Sequence, residues 1–170
     1  MTASLRLHPH RATIPPISRE EEQPLWSVMI PTFNNGEYLR ETLSGVLAQS
    51  PGPEAMQIEV VDDCSTSGNP QAVVEELGRG RVTFYQQPQN VGHTRNFETC
   101  LKRARGHLVH LLHGDDMVRP GFYQRMEGAF HRYPESGAGF CRYIAVDEHG
   151  RVVTSARAEM TASGISRTGC

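Results

Sequence analysis

Three short polar stretches hold the residue types that can do chemistry: Thr32-Phe33-Asn34-Asn35, Asp62-Asp63-Cys64-Ser65 and His113-Gly114-Asp115-Asp116. Each follows an apolar run of strand character. In an open α/β sheet, the loops leaving the carboxyl ends of the strands gather over one crevice, and the ligand binds there. A lone acidic pair after a strand is ordinarily a turn or a helix cap, but two pairs on one edge point to a ligand. Adjacent carboxylates such as Asp115 and Asp116 repel one another, and a divalent cation removes that conflict. Mg²⁺ or Mn²⁺ prefers oxygen ligands, typically one or two carboxylates with substrate phosphates. Bound here, it would neutralise a diphosphate and stabilise it as a leaving group. His113 is either a further ligand or simply a histidine at a strand end.

The second stretch suggests a different task. Asp63 can accept a hydrogen bond from an imide N–H, such as that of a uracil ring, while Asp62 or Asp63 caps the Ser/Thr-rich turn that follows. Phe33 either offers an aromatic face to a base or staples its loop to the core. Arg95 follows the turn Asn90-Val91-Gly92 at a helix start. Helix N-termini favour anions, and a guanidinium adds a forked donor for phosphate. The alternative for Arg95 is a solvated first-turn arginine. Other phosphate and nucleophile signatures are missing: there is no GxxxxGK[ST] loop, no GxGxxG after the first apolar run, and no GxSxG elbow. His8, His10, His131 and His149 receive no role.

The elements that must position these stretches can be read from hydrophobic spacing. Trp26 to Ile30 is a buried strand closed by Pro31. A helix follows, with Tyr38, Leu39, Leu43, Val46 and Leu47 on one face, ended by Pro51-Gly52-Pro53. Residues 57–61 form a second strand, 70–77 a helix, 82–85 a third strand, and 94–104 a helix with Phe97 and Leu101 inward. Residues 107–112 form the fourth strand. Pro120 opens a helix carrying Phe122, Met126, Ala129 and Phe130 on one side. Residues 139–146 read as a further strand, and Glu148-His149-Gly150 as the turn of a hairpin to Val152-Val153. Strands alternating with helices imply an α/β fold with a mainly parallel sheet. The expected organisation is a flexible leader over 1–24, one domain over 25–154, and a small polar tail over 155–170.

A chain of 170 residues is the size of one compact domain. A formal net charge of −2 argues against a large nucleic-acid footprint. Four widely spaced cysteines with no CxxC pair suit free thiols, and two of them fall in expected core elements. There is no signal-peptide pattern and no apolar run of about 18 residues. The expectation is a cytoplasmic chain without a transmembrane segment, compatible with peripheral attachment to a membrane.

In this order, the clusters resemble family 2 glycosyltransferases of the GT-A fold. The resemblance covers Trp26 to about Val153. It rests on Val28-Met29-Ile30-Pro31-Thr32-Phe33-Asn34, Val60-Val61-Asp62-Asp63-Cys64-Ser65-Thr66, Asn90-Val91-Gly92 with Arg95-Asn96, and Leu112-His113-Gly114-Asp115-Asp116. It implies a Rossmann-like sheet flanked by helices that binds a nucleoside diphosphate sugar, a UDP-sugar first among these. Pro31, Thr32 and Phe33 would form the nucleotide edge, Asp63 would read the base, and Arg95 would lie near the diphosphate. Asp115 and Asp116 would be the acidic motif, with Asp116 the direct ligand of Mg²⁺ or Mn²⁺. The implied reaction is inverting transfer to an acceptor hydroxyl. Two departures stand out: His113 replaces the first carboxylate of the family's Asp-x-Asp pattern, and after Val153 only Glu159 is acidic. The expectation is therefore a chain cut short after its donor-binding part, with the catalytic base and acceptor unassigned. The alternative is a nucleotide-sugar-binding piece without transfer. A CheY-like receiver fits poorly, because its acidic pair follows the first strand and its phosphorylated Asp the third.

Overall fold

In a computed structural model, Ile14 and residues 23–155 are described. The expected leader and tail therefore lie largely outside the described residues. The elements run β1 (Trp26–Thr32), α1 (Gly36–Leu47), β2 (Met56–Asp62), α2 (Pro70–Gly78), β3 (Thr83–Gln86), α3 (His93–Arg103), β4 (Leu108–Leu111), α4 (Phe122–Arg132), β5 (Ile144–Val146) and β6 (Val152–Ser155). They fall into two compact units that divide between Val118 and Arg119.

In the first unit, four parallel strands are ordered β3-β2-β1-β4. β1 and β2 are buried along their whole length. β1 accordingly reads as a continuous apolar run, whereas β2 buries the polar side chains of Gln57 and Glu59 among its apolar ones. The chain steps outward from β1 to β3 and then returns across the sheet to β4. Right-handed crossovers put α1 and α2 on one face and α3 on the other. The α3 face holds Met29, Val61, Cys100 and Ala104, with Tyr85 and Leu111 packed against them.

Pro31 does not end β1, which continues to Thr32. The carbonyls of Met29 and Pro31 accept from Leu112 and Gly114, on the β4 side, whereas that of Thr32 accepts from Asp63, on the β2 side. The missing N–H of Pro31 therefore faces β4, just beyond the last β1–β4 pair, Met29 with Leu111. With no N–H to donate on that side, the β1–β4 pairing goes no further. The helix faces also need correction. Tyr38 is 52% exposed, and the buried side of α1 is Gly36, Leu39, Thr42, Leu43 and Val46. On α3 the buried residues are Asn96 and Cys100, while Leu101 is exposed. Apolarity alone mis-phased this helix, because its inward side carries an amide that bonds to the sheet.

The second unit contains α4, with Tyr123 and Met126 buried, and the antiparallel β5–β6 hairpin. The hairpin turn is present, with Gly150 at φ 73°. Its first strand is shorter than expected, since residues 139–143 are not strand and Phe140 is exposed. Cys64, Cys100 and Cys141 are free thiols; Cys100 is buried, but Cys141 is exposed rather than in the core. Among the described residues no helix is long and apolar enough to cross a membrane.

Candidate functional site

The two acidic loops are tethered to consecutive residues of one strand end. The amide of Gly114 donates to the Pro31 carbonyl at 3.0 Å, and the amide of Asp63 donates to the Thr32 carbonyl at 2.9 Å. β1 lies between β2 and β4, at the point where the strand order reverses, which is where open α/β sheets bind ligands. The three polar stretches therefore share one edge.

Glycine sets how closely the loops approach. A methyl carbon on Gly114 would lie 2.9 Å from Thr32 Oγ1 and 3.2 Å from the Pro31 carbonyl oxygen. The loop from β1 is also stitched to the loop from β2. Asn34, at φ 56°, accepts on Oδ1 from the amides of Thr66 (2.9 Å) and Ser67 (3.1 Å), and its own amide donates to Ser65 Oγ at 2.8 Å. The hydroxyl of Thr32, a buried residue, donates to Asn35 Oδ1. Phe33, by contrast, is 46% exposed and projects from this anchored loop.

The acidic residues divide their work. Asp62 is the cap: its carboxylate accepts from the amide and hydroxyl of Ser65, the amide at 2.9 Å, and from Gln86 Nε2 at 2.9 Å. Asp63 crosses to the next loop, where its two oxygens accept from the amides of Val91 (2.7 Å) and Gly92 (2.9 Å). It is 3% exposed. Each oxygen keeps a second lone pair for a further donor. Arg95 sits exposed in the first turn of α3, three residues beyond Gly92.

Asp115 and Asp116 are both exposed, and neither carboxylate takes part in an ion pair among the described residues. Their backbone is nevertheless fixed. The amide of Asp116 donates to the His113 carbonyl at 3.0 Å, and its own carbonyl accepts from Thr42 Oγ1 at 2.8 Å. Among the described residues no three His, Cys, Asp or Glu side chains cluster as a self-contained metal site. A pair of free carboxylates still suits a hard cation that completes its shell with phosphate oxygens and water. The His113 ring stands edge-on to Phe97 with centroids 4.9 Å apart, and His93 approaches the same phenyl ring at 6.0 Å.

Two supporting residues, Gln87 and Thr42, escaped the sequence reading, and two others, Asn34 and Asn96, stood in its motifs without a role. Asn96 donates from Nδ2 to the Val61 carbonyl at 2.8 Å and accepts from Gln87 Nε2 at 3.1 Å, pinning α3 to β2. Thr42 and Asn34 anchor loops in the same manner. The only available signal was a polar residue on an otherwise apolar helix face, as with Thr42 beside Leu39, Leu43 and Val46.

The model of glycosyl transferase family 2 matches residues 27–166. The chain belongs to glycosyl transferase family 2. The described parallel sheet with its flanking helices is the GT-A arrangement of the family's solved members. Among its relatives, an uncharacterized protein of Mycobacterium tuberculosis (strain CDC 1551 / Oshkosh), MT1568, is 34% identical over 83% of this chain and 45% of its own length. Poly(ribitol-phosphate) β-N-acetylglucosaminyltransferase TarP of Staphylococcus aureus (strain N315) is 36% identical over 54% of this chain and 28% of its own. The crystal structure of S. aureus TarS 1-349 in complex with UDP-GlcNAc superposes with a TM-score of 0.58 at 25% identity. It covers 64% of this chain and 32% of that one. The chain thus spans less than half the length of these relatives.

Proposed function

We propose that this chain binds the donor of a glycosyl transfer, a nucleoside diphosphate sugar with UDP as the first candidate, over the carboxyl edge of β1. The observation that carries the reading is the tethering of the Asp63 and Gly114–Asp116 loops to the adjacent carbonyls of Thr32 and Pro31. In this reading the shared edge is one crevice, with a base-sized aromatic at Phe33, a cation at Arg95 and two carboxylates free of ion pairs at Asp115 and Asp116. The likeness to TarS, whose structure holds UDP-GlcNAc, supports a UDP-sugar.

Pro31, Thr32 and Phe33 border the nucleotide, and Asp63 accepts from the base imide with the lone pairs that Val91 and Gly92 leave free. Arg95 pairs with the diphosphate. Asp116, with Asp115, holds Mg²⁺ or Mn²⁺; when bound, the ion supplies charge neutralisation to the departing diphosphate. In the transfer, an acceptor hydroxyl oxygen bonds to the anomeric carbon while the bond from that carbon to the diphosphate oxygen breaks, with inversion. The hydroxyl proton passes to a base that we assign to no described residue; Glu159 lies outside the described residues.

Calorimetry with UDP and Mn²⁺ tests the metal assignment. Asp116→Ala should weaken metal-dependent UDP binding at least about tenfold and leave the circular dichroism spectrum unchanged. Equal affinity in the two proteins would refute it.

A further inference from the structure

We propose that Asp63 is a positioning residue that sets the entrance of α3, and with it the guanidinium of Arg95, for the donor diphosphate. This rests on the donor-site reading above. A carboxylate that served the base alone would have no need to spend an acceptor position of each oxygen on another loop. Asp63 is buried, and it binds two consecutive main-chain N–H groups, Val91 at 2.7 Å and Gly92 at 2.9 Å. Its carbonyl also accepts from Asn90 Nδ2 at 3.2 Å. Three successive residues of the β3–α3 loop are therefore held by one residue of the β2–α2 loop. Charge-assisted bonds made in pairs fix orientation as well as distance.

The grip falls on the residues that lead into α3, whose N-cap makes no side-chain bond of its own. Gly92, the residue before the helix, lies at φ 83° and supplies no side-chain cap bond. One turn on, Asn96 holds α3 to the Val61 carbonyl. Between those two anchors stands Arg95. Releasing the first loosens the helix start ahead of the Asn96 anchor, and Arg95 shifts with it. Asp62, one residue earlier, lacks this reach: it binds Ser65 in its own loop and Gln86 at the end of β3.

Asp63→Asn separates the two roles. The amide keeps one acceptor oxygen but presents a donor to the second main-chain N–H, so the paired grip is lost. Uridine, UDP and inorganic pyrophosphate would be titrated calorimetrically at fixed Mn²⁺ into the wild-type chain, Asp63→Asn, Arg95→Ala and the double variant. We expect Asp63→Asn to weaken pyrophosphate about tenfold and UDP by at least as much, since UDP also loses its base contact. In the Arg95→Ala background it should add little to the pyrophosphate loss, because both changes act on one contact. A purely structural role would lower the unfolding midpoint without that coupling. Asn90→Ala, an exposed and milder change, should weaken pyrophosphate in the same direction and keeps the test available if Asp63→Asn does not fold. Full pyrophosphate affinity in Asp63→Asn, or in Asn90→Ala if it alone folds, with only uridine and UDP impaired, overturns the proposal in favour of base contact alone. Additive losses with Arg95→Ala overturn it as well. A wild-type chain that binds neither UDP nor pyrophosphate overturns the donor-site reading itself, and this proposal with it.

Discussion

Alanine is worth about 1 kcal/mol more than glycine inside a helix, yet a methyl carbon on Gly36, the first residue of α1, would lie 1.9 Å from the carbonyl oxygen of Gly68. The obstacle is backbone, so it cannot turn aside as a side chain would. Gly36→Ala should therefore destabilise the protein, by about 2 kcal/mol from overpacking, and lower its urea midpoint. An unchanged or raised midpoint would mean that the β1–α1 and β2–α2 loops do not touch. The same closeness explains the polar character of both loops. Packed this tightly, their amides need acceptors, which Asn34 and Asp62 supply within the loops and Asp63 supplies to the loop beyond. At this scale the sequence disclosed which residues matter better than what each one does. Asp62 and Asp63 are chemically identical neighbours, and only their direction at the strand end makes one a cap and the other a bridge.

Among the elements, β1 was legible because burial on both faces leaves a nearly unbroken apolar run, and the other strands were legible as short apolar or β-branched runs between turns. α3 was legible in extent but not in phase. Its inward contacts run through Asn96, Thr99 and the thiol of Cys100, not through its larger apolar residues. Farther along the same face, Arg103 Nε donates to Glu59, and its guanidinium stacks over Tyr85 at 4.1 Å. Burial, reinforced by the nearby Glu59 carboxylate, pushes the Cys100 thiol up to about 12. At pH 8 it should stay unreacted with a thiol reagent while Cys141 is modified, and labelling of Cys100 by mass spectrometry should appear only with urea unfolding. β4 carries a pH signature of its own. Burial lowers the half-buried His110 to about 4 from its ordinary 6.5. The folded state then resists a proton that the unfolded chain accepts. Its contribution is intact above pH 6.5 and is lost as the pH falls towards 4, by up to about 3 kcal/mol. Urea titrations between pH 7 and pH 4 should show that decline, and His110→Gln should flatten it. An identical slope in the variant would remove His110 as the cause.

For the molecule as a whole, the order β3-β2-β1-β4 follows from right-handed crossovers and the return of the chain after β3, and it places the switch point between β1 and β4. Strand alternation predicted a parallel sheet but not which strands would be neighbours, because hydrophobic spacing has no term for lateral order. The order is what turns three separate polar stretches into one site. A ligand bridging the loops of β1, β2 and β4 binds only the folded chain, so it must raise stability, by about 2.7 kcal/mol at a hundred times its dissociation constant. For a chain of this size that is a rise of roughly 5–10 °C in the unfolding midpoint. In a thermal-shift panel of UDP, GDP and ADP with and without Mn²⁺, we expect the rise with UDP and Mn²⁺ together and little with either alone. On the proposed reading the carboxylates of Asp115 and Asp116 would meet the phosphates only through a cation, and without one they would repel them. A shift of equal size for all three nucleotides would keep the diphosphate site but deny Asp63 and Phe33 any reading of the base. If no nucleotide shifts the midpoint in the presence of metal, the shared edge does not bind a sugar donor, whatever its geometry suggests.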